Sequence, residues 1–125
     1  VPSRCSSAHA EIVALAVAQQ AVGAHQLGQG SACELVTSCE PCTMCMGATL
    51  WSGVSRLVCA ARDEDATGVG FDEGPKPAEW VEQLALRGIE VVRDVQREKA
   101  AGVLRSYRDR GGEIYNPRLK GHDPS

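Results

Sequence analysis

Two short clusters of metal-binding side chains, far apart along the chain, restrict how it can fold. His9-Ala10-Glu11 heads one stretch with helical apolar spacing, and Pro41-Cys42-Thr43-Met44-Cys45 heads another. His9, Cys42 and Cys45 are soft or borderline ligands, and Glu11 places a carboxylate beside the histidine. For one ion to take all three ligands, both stretches must aim the same end at one point. A Cys-x-x-Cys pair alone would say little, because redox pairs and half zinc fingers share it. Structural zinc sites are closed by four protein ligands, whereas catalytic sites keep three and leave a position for water or substrate. Here the fourth ligand is missing and a general acid/base stands next to the gap.

The cysteines also suit their position. They lie one turn apart at a helix start, where unpaired N–H groups and the helix dipole favour thiolate, as does a metal. A metal held there lowers the pKa of its bound water toward neutrality.

Periodicity organises the rest. Good helix formers with Ile12, Leu15, Ala16 and Gln19 at helical spacing predict a helix over 8–26. A short buried strand is expected over 34–38. A second helix is expected from about 42 to 51, with Pro41 just ahead, where a missing N–H costs nothing. A strand over 56–61, a long Gly- and Asp-rich loop over 63–77, and a helix over 78–86 follow. A strand over 89–95, a helix over 96–110 ended by Gly111-Gly112, and a polar tail complete the chain. Strands alternating with helices imply crossover units and a single α/β domain over 1–125.

The chain has 125 residues, 43% of them apolar, enough for one modest core. Its net charge of −3 argues against long nucleic acid as a partner, since tracking phosphates needs surplus Lys and Arg. The basic residues of 105–120 are interleaved with Asp109 and Glu113 and read as a solvated face. No run suits a membrane span or secretory leader. The six cysteines lack a secreted-framework spacing, so a reduced, cytoplasmic setting is expected.

His-x-Glu followed by Pro-Cys-x-x-Cys resembles the signature of the zinc nucleobase deaminases, the cytidine deaminase-like superfamily. The resemblance runs from His9 to about Asn116. It implies a three-layer α/β/α sandwich with a mixed central sheet, and one catalytic zinc ion on His9, Cys42 and Cys45. It implies that Glu11 takes a proton from water, passes it to a ring nitrogen and then protonates the departing amine. Ala10 matches the small residue whose backbone N–H helps hold the base. Thr37 to Cys42 match the strand-to-helix approach, whose carbonyls accept the amine's hydrogen bonds. Cys39 has no ligand counterpart there and is expected to be a packed thiol. In that superfamily a helix and a hairpin precede the metal histidine. With His9 this early, those elements, a substrate-binding Asn and a pocket aromatic are expected to lie ahead of Val1.

Three stretches look like the bacterial guanine deaminase branch. Met46-Gly47-Ala48-Thr49-Leu50-Trp51 is similar to it, where tRNA adenosine deaminases tend to carry His in place of Trp51. Val69-Gly70-Phe71-Asp72-Glu73 resembles its Gly-Phe-Asp-acid loop, whose last acid binds the base and is credited with a second proton-transfer role. Tyr115 falls where related C-termini close the pocket. Ser6-Ser7-Ala8-His9 and Ile114-Tyr115-Asn116 look like members that handle guanine and also ammeline. Independently of the resemblance, a buried carboxylate at Glu73 would match the N–H donors along guanine's N1/N2 edge, and such a site rejects analogues that leave it unpaired.

The expected activity is hydrolysis of guanine to xanthine and ammonia, with Glu11 and Glu73 catalytic and Trp51, Tyr115 and Ala10 around the base. The expected partner is a small nucleobase within purine catabolism, with no nucleic acid and no membrane. A homodimer is expected, with C-terminal segments exchanged as in one branch. The alternatives are deamination of ammeline, cytosine or a nucleoside, a tRNA adenosine deaminase, and a non-catalytic zinc module.

Overall fold

The computed structural model describes residues 5–30 and 32–119. A three-stranded sheet forms the centre, with β1 (Glu34–Cys39), β2 (Arg56–Ala61) and β3 (Glu90–Val92) in that spatial order. Leu35 lies opposite Leu57, and Leu57 opposite Val91. β2 has neighbours on both sides, and its Leu57, Cys59 and Ala61 are wholly buried. Burying a leucine of this kind contributes about 2 kcal/mol.

All three described strands run parallel. The sequence reading expected a mixed sheet, and that mixing is not found among these strands. Parallel neighbours need crossovers. Here α2 (Thr43–Ser52) joins β1 to β2, and α3 (Asp63–Gly68) with α4 (Trp80–Ala85) joins β2 to β3. α5 (Arg97–Asp109) packs on β2, α4 on β3, and α1 (Ala10–Val22) on α2. The architecture is α/β, as expected.

Two differences from the sequence reading have clear causes. α1 stops short of residue 26 because Gly23 turns left-handed (φ 70°), and its N–H caps the carbonyls of Gln19 and Gln20. The expected loop at 63–77 begins with a helix, α3. Asp63, Glu64 and Asp65 fill its first turn, and the Asp65 carboxylate accepts the Arg62 N–H at 2.9 Å.

Gly53 ends α2 at φ 86°, and a Cβ there would run into the backbone of Leu27. The close approach lets the Leu27 N–H donate to the Ser52 carbonyl at 2.7 Å, tying the segment after α1 to the end of α2. No helix among the described residues is long and apolar enough to cross a membrane.

Candidate metal centre and adjoining pocket

The carboxyl end of β1 delivers the chain through Glu40 and Pro41 to Cys42, the N-cap of α2. His9 is the N-cap of α1. Neither side chain is spent on capping its own helix. Two helix N-termini thus meet beyond the end of the sheet, where open α/β sheets place their ligands.

His9 Nδ1 lies 3.5 Å from Cys42 Sγ and 3.5 Å from Cys45 Sγ. The three ligand atoms fall within 4.8 Å of one another, and no other His, Cys, Asp or Glu among the described residues joins them. Zinc held tetrahedrally by one nitrogen and one sulfur at ordinary bond lengths would separate those two atoms by roughly 3.6 Å. Donor chemistry and spacing both fit a zinc ion bound through Nδ1, with one position left open. The Cys42 sulfur accepts a hydrogen bond from the Cys45 thiol and further ones from backbone N–H groups, which hold it down at about 5. Cys45 is raised, because it donates to Cys42, is buried, and faces Glu11. Both sulfurs bind a divalent cation only as thiolates, so its binding would release protons.

Glu40 fixes the approach to the cysteines. Only 3% exposed, it accepts from Arg93 Nε at 2.6 Å and from the Asp63 N–H at 3.0 Å. Its own N–H donates to Ala61 O at 2.9 Å, so the metal loop is tied to the end of β2.

Glu11 and Glu73 border one cavity of about 340 Å³, together with His9 and Cys42. That volume lies in the usual range for small-ligand sites. Ser38, Cys39 and Glu40 line it as well, as do Phe71 and Tyr107, whose stacked rings lie 6.3 Å apart. Tyr115, 55% exposed, lines both this cavity and a second one of about 270 Å³. Both cavities reach His9, Cys42, Asp72 and Glu73. Burial, reinforced by the negative charges of Asp63 and Cys42, pushes Glu73 up to about 7.

The sequence matches the family described as the cytidine and deoxycytidylate deaminase zinc-binding region over residues 2–61. Guanine deaminase of Bacillus subtilis (strain 168) is 43% identical over 79 residues, which covers 58% of this chain and 49% of that protein. A crystal structure of guanine deaminase from Nitrosomonas europaea is 52% identical with a TM-score of 0.85, covering 87% of this chain and 61% of that one. A further structure, in complex with 2,6-diaminopurine, is 53% identical with a TM-score of 0.87, covering 95% and 64%. The chain spans about half the length of the curated relative and three-fifths of the crystallised ones. Over just under half of its length the chain is thus similar to the zinc-binding region of that deaminase family, and its fold is that of the guanine deaminase structures.

The matched region supplies His9, Glu11 and the cysteines, and the residues beyond it supply Glu73, Tyr107 and Tyr115. Two expected pocket residues lie elsewhere. Trp51 is 82% exposed and lines a separate groove with Ile12, Leu15, Ala16, Gln19, His25 and Ala48. The reason is helical geometry. Nine residues past Cys42, at 100° each, Trp51 falls on roughly the opposite face of the helix. Ala10 is exposed in the first turn of α1 and does not border the cavity. Cys39 is a partly buried thiol 3.8 Å from the Arg62 carbonyl, pushed up to about 12 by burial. It is no part of the ligand cluster.

Sequence reasoning did not single out Glu40, Phe71, Tyr107 or the clasp made by Asn116. Asn116 Nδ2 donates to Gly70 O at 2.8 Å, and its Oδ1 accepts from the Asp72 N–H at 2.9 Å. It fastens the tail onto the loop that carries Glu73. The available signal for Glu40 was a charged residue squeezed between a buried strand and Pro-Cys.

Proposed function

We propose that this chain is a zinc-dependent aminohydrolase that converts guanine and water to xanthine and ammonia. The observation that carries this reading is the meeting of a three-ligand metal centre, Glu11 and Glu73 around one cavity. The likeness to guanine deaminases, including one whose crystal holds 2,6-diaminopurine, supports the purine class. Bound zinc supplies an activated water near neutral pH. Glu11 takes a proton from that water, gives it to the ring nitrogen beside C2 and then protonates the departing amine. The new C2–O bond replaces the C2–N bond, and the second water proton leaves with the ammonia. Glu73 accepts the N–H groups of the N1/N2 edge. Burial raises its carboxyl above the ordinary carboxylate range, which suits it to relay a proton as well. Phe71, Tyr107 and Tyr115 supply apolar walls, and the Ser38-to-Glu40 carbonyls face the amine.

The same reading places the protein as a homodimer with exchanged C-terminal segments, acting in purine breakdown in the cytoplasm. The absence of a secreted-framework cysteine spacing supports a reducing compartment. Ammonia release from guanine, ammeline, cytosine, cytidine and adenosine, with Glu11→Ala as blank, tests the proposal. Turnover of guanine above the others is expected. Turnover of another base alone keeps the metal chemistry and removes the role given to Glu73. Silence on every base leaves a non-catalytic zinc module.

A further inference from the structure

Lys76 lies three residues beyond Glu73, and its side chain is only 6% exposed. A lysine is rarely so enclosed without a task for each of its donors. Its Nζ donates to the Pro41 carbonyl at 2.6 Å, and Pro41 immediately precedes the ligand Cys42. The same Nζ pairs with Asp63 Oδ2 at 2.5 Å and sits 4.2 Å from the ring centre of buried Trp80. Beside it, Arg93 holds Glu40 and also approaches Trp80, at 5.6 Å. Two cations, each paired with a carboxylate, thus sit over one indole, and Lys76 joins this cluster to the metal loop.

A second set of contacts runs between the same two segments. The Thr43 N–H donates to the Glu73 carbonyl at 2.8 Å, and Thr43 Oγ1 donates to Pro75 O at 3.2 Å. Gly74 (φ 78°) packs so tightly that a Cβ would press into the Thr43 side chain. The segment carrying Glu73 is therefore fastened to the head of α2 at three points, Lys76, Thr43 and Gly74.

We propose that Lys76 is a positioning residue that sets the reach of Glu73 to a base held against the metal centre, by locking residues 73–77 onto Pro41 and Thr43. This rests on the functional reading given above. A charged group does this better than a neutral one because one Nζ serves a carbonyl, a carboxylate and a π face at once. A misplacement of a binding group by about an ångström is enough to cost roughly 100-fold in rate.

The test compares wild type, Lys76→Met, Lys76→Arg, Glu73→Gln and the double variant Lys76→Met/Glu73→Gln, all zinc-loaded. Lys76→Met is expected to keep its zinc and to lose kcat on guanine by roughly 10- to 100-fold, with Lys76→Arg recovering part. In the Glu73→Gln background, Lys76→Met should cost less than about threefold, because residues acting through one group are not additive. Multiplicative losses would show a general structural role and overturn the proposal. Amide exchange gives a readout independent of turnover: Thr43 should lose protection by about tenfold in Lys76→Met while the α5 amides hold theirs. If wild type turns over no base yet Thr43 loses protection, the lock stands and the functional reading fails. Unchanged Thr43 protection with unchanged kcat overturns the lock. Should Lys76→Met not fold, Thr43→Val removes the Pro75 fastening alone and is judged by the same non-additivity with Glu73→Gln.

Discussion

Cys45 is wholly buried, on a helix that also buries Met46, Thr49 and Ser52, whereas His9 heads a helix with one buried residue, Leu15. On that second helix Val13, Val17 and Val22 are 46%, 59% and 60% exposed. The two arms of one metal site are therefore anchored to very different degrees. The cysteine arm is set by the core and by Glu40, and would stand in place without an ion. The histidine arm rests on few contacts, so the ion itself would tie α1 to the rest. The difference separates groups that hold the fold from Glu11, to which the proposed reaction gives the proton chemistry and which rides on the loosely held arm.

The largest effect expected of that division is kinetic. Glu11→Gln should cut turnover by about 10³-fold while leaving zinc content and melting temperature near those of the parent. Full activity in ammonia-release assays would remove Glu11 from the mechanism, and lost zinc would make it structural. Next comes stability without metal. In urea titrations Cys45→Ala should cost about 1–2 kcal/mol, and His9→Ala less than about 0.5 kcal/mol. Equal losses would erase the contrast between the arms. Chelation should then sharpen it, with amides of α1 exchanging about tenfold faster once zinc is stripped and those of β2 unchanged.

The smallest effect concerns pH. Glu73 titrates near 7 in the folded chain against an ordinary value of 4.5. Between those values the folded state keeps a proton that the unfolded state has lost. This contribution to stability is fully present below pH 4.5 and disappears as pH rises through 7. Metal-free Glu73→Gln should match the parent in acid and exceed it by about 1 kcal/mol in mild alkali, after allowance for partial exposure. A variant less stable than the parent in alkali would contradict the buried environment given to Glu73.

The metal ligands were legible because ligand type, spacing and helix starts are local properties of the chain. β2 was read to its ends for the same reason, since period-two burial is written into Leu57, Cys59 and Ala61. α3 was not legible, because its aspartates and its glycine suit loops, and what holds it is the Arg62–Asp65 cap and Arg97 reaching back to Asp65. Trp51 was misplaced although helical geometry was enough to put it on the far face. The Lys76, Glu40 and Arg93 pairings join residues up to 53 apart, and no pattern along the chain marks such partners in advance. Glu73 itself was reached only through resemblance and the donor pattern of a base.

The chain's two tryptophans sit at opposite extremes. Trp51 is open to solvent at the far end of α2, and Trp80 is 5% exposed beneath Lys76. Their fluorescence should resolve into a red-shifted component that iodide quenches and a blue-shifted one that it does not. The native protein thus carries two optical channels, one reporting on the groove shared by α1 and α2 and one on the ion cluster beside the loop that carries Glu73, without any label being attached.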